Sequence, residues 1–151
     1  WAARRGDVEL TRDLAGAHTG IGDILAAQGQ AIPALREADA AFALLEPLWA
    51  TSRSDATTAR QLAAAGNLRA RIGELRGDTA AARREWTRSV DLLAPLAATT
   101  MDYYVIEHYV RALVSLGRHD DARRQFDRLS ALGYRAREFL RFWEQHAVAS
   151  R

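Results

Sequence analysis

The sequence predicts an all-α protein built from antiparallel helix pairs that repeat along the chain. Three observations carry this. Of the 151 residues, 31 are Ala and 18 are Leu; these are the strongest helix formers, whereas sheets draw on β-branched and aromatic residues. A shift of 48 residues aligns 12–50 with 60–98, placing Gly29 on Gly77 and Leu44-Leu45-x-Pro47-Leu48 on Leu92-Leu93-x-Pro95-Leu96. Apolar residues also recur at three- and four-residue steps on both sides of each of these glycines, the signature of paired amphipathic helices.

The first unit spans about 8–50. Leu14, Ala17, Ile21 and Leu25 lead to Gln28-Gly29, and Ile32, Leu35, Ala38, Phe42 and Leu45 follow. Pro33 falls in the first turn of the second helix, where a missing N–H costs nothing. Pro47 is expected to mark or kink its end. The stretch Thr51 to Thr58 stops the helix and offers fresh capping residues. The second unit, about 58–98, carries Leu62, Ala65, Leu68, Ile72 and Leu75, then Gly77-Asp78, then Ala82, Trp86, Val90 and Leu93, with Pro95 expected at the end. After Ala98 to Asp102, the third unit (about 101–133) runs through Ile106, Tyr109, Val110, Leu113 and Leu116, turns at Gly117, and continues through Ala122, Phe126, Leu129 and Leu132. Asp120 and Asp121 suit the positive end of that last helix. A terminal helix over about 135–148, with Phe139, Leu140, Phe142 and Trp143, is expected to cover the open end of the stack.

Composition narrows the function classes. There are 21 basic and 19 acidic residues, a net charge of +2, and every basic residue is Arg. Arginines and acids are interspersed, so the basic stripe of a nucleic-acid binder is missing. No apolar run reaches the roughly 20 residues that span a bilayer, so no membrane insertion is expected. Without Cys there are no disulfides or thiolate metal sites. The four histidines lack metal-ligand spacing, and no nucleophile motif appears. The reading is therefore of a non-enzyme without cofactor or metal. Gly16, Gly20 and Gly22 are expected to make a small-residue packing face, since a phosphate loop would need a preceding strand. A chain that opens on Trp1 reads as a piece of a longer protein, placed in the cytoplasm, or in the periplasm if the parent chain carries a transmembrane segment.

The Gly-x4-Ala-x3-aromatic pattern (Gly77, Ala82, Trp86; Gly117, Ala122, Phe126) resembles the tetratricopeptide repeat, which implies an α-solenoid of about three units and a capping helix. Ile21-Gly22 is similar to the family's helix-A Leu-Gly pair. Gly22 to Gln30, and the close around Leu132-Gly133-Tyr134-Arg135, resemble repeat-bearing tails of bacterial serine/threonine kinases and related signalling proteins. The unit lengths exceed the family norm. Ala38 replaces an aromatic, and Arg69 and Gly73 stand where the family prefers large apolar groups, which suggests a helix shifted by a residue. The absence of Lys argues against the family's clamp for chaperone tails.

The resemblance implies that each first helix lines a concave groove. Its positions carry over to Asp23, Asn67, Arg71, Glu74, Tyr104, Glu107 and Arg111. These are expected to bind a peptide or protein segment, with acidic segments favoured by Arg71 and Arg111 beside Tyr104. The other reading is structural: a spacer or self-association arm of a signalling enzyme.

Overall fold

A computed structural model describes residues 2–147 of the chain, with side chains over 6–146. The described residues form seven α-helices and no strand: α1 (Ala2–Ala27), α2 (Ala31–Thr51), α3 (Ala56–Leu75), α4 (Thr79–Ala97), α5 (Tyr103–Ser115), α6 (His119–Ala131) and α7 (Arg137–Ala147). Adjacent helices pack as pairs, α1 on α2, α3 on α4 and α5 on α6. The odd-numbered helices also touch one another in sequence, from α1 to α3, α5 and α7.

The joints within pairs use one chemistry. At Gly77, φ is +73°, a left-handed conformation that costs glycine nothing. The Asp78 N–H reaches back to the Gly73 carbonyl (2.8 Å) and the Gly77 N–H to Glu74 (3.0 Å), which satisfies the carbonyls left over at the helix end. Gly117 repeats the pattern, with Arg118 N–H on Leu113 and Gly117 N–H on Val114, both at 2.9 Å. Between pairs, an Asp caps each new helix. Asp55 accepts from the Thr57 and Thr58 amides, and Asp102 from those of Tyr104 and Val105.

The pairs close where small residues meet. A Cβ on Gly73 would lie 3.0 Å from the Ala82 nitrogen and 3.2 Å from its Cβ, so α3 and α4 cross at this point. Gly73 is thus required by close approach. Arg69, the other departure, lies with its guanidinium 4.1 Å above the Phe42 ring while pairing with Asp39 at 2.6 Å. An arginine over an aromatic face serves here in place of a large apolar side chain.

Several expected core positions are corrected: Leu14, Ala17 and Ile21 of α1, Ile32 of α2 and Leu75 of α3 are exposed, and on α1 the inner side is taken by the small residues Ala15, Gly22 and Ala26. Pro47 and Pro95 lie close to the C-terminal ends of α2 and α4, as expected, with the helices running on to Thr51 and Ala97. The small-residue face of α1 is only partly used. Gly22 packs tightly, but Gly20 has nothing within 4 Å of where a Cβ would stand. The expected end of the terminal helix, Val148, lies outside the described residues.

The core is graded along the chain. Between α1, α2 and α3 it is alanine-rich: Ala15, Ala34, Ala38 and Ala41 are buried around Phe42, Leu45, Leu62 and Leu68. From α4 onward it is bulky, with Trp86, Ile106, Val110, Leu113, Phe139 and Trp143 in one cluster. There α7 seals the end. Trp143 stacks on Phe126 at 4.1 Å between ring centres, and Phe139 is fully buried.

Candidate functional site

The residues expected to line a groove sit on the odd-numbered helices α1, α3 and α5, and contacts link them into one strip. Asp23 of α1 forms an ion pair with Arg71 of α3, both about half-exposed. Asn67, one turn before Arg71, donates from Nδ2 to the His108 carbonyl of α5 at 3.2 Å. Arg60 of α3 lies 5.6 Å from the centre of the Tyr104 ring of α5 and 3.7 Å from the Asp102 carboxylate. Four charges (Glu107, Arg111, Arg60 and Asp23) act on His108 at the middle of the strip.

The seven expected residues have different fates. Asp23, Arg71, Glu74 and Tyr104 are at the surface. Glu74 accepts the Trp86 indole N–H at 2.9 Å, so it also steadies the α3–α4 pair. Asn67 is only 3% exposed and works between α3 and α5, which corrects its expected place on an open surface. Its Oδ1, like the His108 Nδ1, is buried without a hydrogen-bond partner among the described residues.

Glu107 and Arg111 are drawn to the C-terminal end. Arg111 grips Glu107 with Nε (2.9 Å) and a terminal nitrogen (2.7 Å) one helical turn away. Its guanidinium lies 4.7 Å from the Phe142 ring and 5.5 Å from Phe139, both on α7. The Tyr134 hydroxyl donates to the other Glu107 oxygen, and burial together with this bond pushes the phenol pKa up. Arg71 and Arg111 therefore both hold carboxylates of this chain, and Arg111 is covered by α7. The expected preference for acidic segments rested on free guanidiniums at these two positions.

What remains open lies around Arg71. A shallow depression of about 400 Å³ is lined by Ala26, Ala27, Arg71, Glu74 and Leu75. Its walls are mostly apolar, with one charge of each sign. His108 and Arg60, the residues that knit the strip together, were not among the expected site residues. Their signal in the sequence is weak: His108 follows Glu107 on the polar side of α5, and Arg60 stands at the start of α3 among small and polar neighbours. Burial holds the His108 imidazole pKa down at about 4, against an ordinary 6.5, with the nearby arginines adding to the effect.

Among the described residues no group of three His, Asp or Glu side chains is placed to hold a metal ion, and no helix is long and apolar enough to cross a membrane. No family model, curated protein or solved structure matches the chain.

Proposed function

We propose that the chain is a non-catalytic interaction module of the tetratricopeptide type, a helical-repeat scaffold of about three units within a larger bacterial signalling or regulatory protein. The observation that carries this is the strip itself: three successive odd helices contribute Asp23, Arg71 and Tyr104 to one surface, tied together beneath it by the Asn67–His108 contact. Such a surface, with a shallow apolar depression at its Arg71 end, suits an extended or helical segment that anchors one apolar side chain and bonds its polar groups alongside. Because Arg71 is already paired, the segment takes its affinity from the apolar anchor and not from net negative charge.

Selection of random phage-displayed peptides on the immobilised protein tests this reading. Selected clones should carry an aliphatic or aromatic residue at a recurring position and should lose binding to Leu75→Asp and to Tyr104→Ala. Clones indifferent to both substitutions, or none at all, would contradict it. A second reading, a structural spacer or dimerisation arm, draws support from the α7 side chains that cover Arg111.

A further inference from the structure

Helix α1 is packed inside out. The side turned toward α2 and α3 carries mainly small residues beside Leu25, with Ala15, Gly22 and Ala26 buried, while four large aliphatics point away from the fold. Leu10 is 68% exposed, Leu14 51%, Ile21 49% and Ile24 61%. With the exposed Ala17 between them, their spacing of four, three, four and three residues is the a/d seam of a coiled coil. Lone exposed aliphatics are ordinary, but a four-turn stripe of them is the mark of an interface.

We propose that this stripe is a self-association surface, on which α1 of a second copy packs antiparallel about a twofold axis near Ala17. The order of residues is self-complementary in that sense. Leu10 meets Ile24 of the other copy, Leu14 meets Ile21, and the small Ala17 lies at the crossing, as a twofold interface requires. The direction follows from charge. Asp7 stands on the same seam one turn before Leu10, and Gln28 one turn beyond Ile24, both exposed. A parallel pair would bring the two Asp7 carboxylates together across the axis, whereas the antiparallel pair sets each Asp7 beside a Gln28 amide. The helix dipoles also oppose each other in the antiparallel arrangement.

The area is sufficient. The four aliphatics offer on the order of 400 Å² per copy, and with Ala17 and the flanking residues the pair buries on the order of 1,000 Å², the lower bound for a specific interface. An interface of this size is a weak, reversible one.

Sedimentation equilibrium of the chain tests the proposal. The weight-average mass should rise with concentration from 16.7 kDa toward twice that value. Leu14→Glu and Ile21→Glu, each on the outer side of α1, should raise the dissociation constant at least about 100-fold while leaving the circular dichroism spectrum unchanged. Met101→Glu, an exposed aliphatic in the loop before α5, should leave association as it was. A chain that stays at 16.7 kDa up to about 0.5 mM, a range that covers weak dimers, would overturn the proposal and leave the stripe to a helix of another polypeptide. Association that survives both α1 substitutions, or that Met101→Glu abolishes equally, would overturn it as well.

Discussion

The two ends of the helical stack solve the same problem differently. At the C-terminal end the apolar edge of α5 and α6 is covered: α7 lays Phe139 and Trp143 against it, and Phe126 stacks on Trp143. At the N-terminal end Leu10, Leu14, Ile21 and Ile24 of α1 face outward uncovered. A repeated pair has two apolar sides, so a stack ends either in a cap or in a surface that takes a partner. This chain has a cap at one end and an uncovered apolar face at the other. Large apolar side chains at the two ends therefore carry different energetic weight.

The largest effect should come from the sealed end. Phe139→Ala removes a fully buried ring from a cluster of aromatics and should cost about 3–5 kcal/mol in chemical denaturation. Leu10→Ala on the open end should cost less than about 0.5 kcal/mol when measured at concentrations where the chain is monomeric. Equal costs at the two ends would erase the contrast.

Next comes the crossing of α3 and α4. Ala82→Leu pushes three more heavy atoms against Gly73 and should destabilise the fold by about 1–3 kcal/mol, read from the same denaturation curves. An unchanged midpoint would mean that the pair is not closed at Gly73 and Ala82.

An effect of similar size follows from pH. The unfolded His108 imidazole takes up a proton near 6.5 and the folded one only near 4. Between these values the unfolded chain binds more protons, so stability falls as pH is lowered from 6.5 toward 4. The loss reaches about 2 kcal/mol by pH 5. His108→Gln should flatten that part of the stability–pH curve. A variant as pH-sensitive as the parent would show that the slope comes from other groups.

The smallest contrast is also the most local. Gly20 and Gly22 are two residues apart on α1. A Cβ at Gly20 meets nothing within 4 Å, whereas at Gly22 it would stand 2.6 Å from Leu68 Cδ2 and 3.3 Å from the Ala34 carbonyl oxygen. Gly20→Ala should stabilise by up to about 1 kcal/mol through helix propensity alone. Gly22→Ala should destabilise by about 1 kcal/mol or more. Thermal melts of the two variants should move in opposite directions.

Much of this architecture was legible in the sequence, because repetition amplifies weak local signals. Gly29, Gly77 and Gly117 mark three helix ends, and Ala82 falls where a small residue is needed against Gly73. Those features depend on backbone geometry, which a motif records directly. The candidate site was less legible, since it depends on which side chains of distant helices meet. Arg71 and Arg111 occupy comparable positions on their helices. Nothing in their own segments shows that Asp23, 48 residues away, pairs with the first, or that α7 covers the second. The outward stripe of α1 misled for a related reason. Periodicity reports that a helix has an apolar face and is silent about whether this chain supplies the neighbour.

The most direct test of the contrast between a capped end and a self-complementary one is a distance across the α1 pair. The chain has no native Cys, so a spin label at Ala27→Cys is the sole probe in each copy. In an antiparallel pair centred on Ala17, the two labelled positions lie ten residues on either side of the axis, about 30 Å apart at 1.5 Å per residue. Double electron–electron resonance should then give a single distance near that value, and Ile21→Glu should abolish it. A distance of about 10–15 Å, as expected for parallel packed helices, or the absence of any intermolecular modulation, would contradict the account.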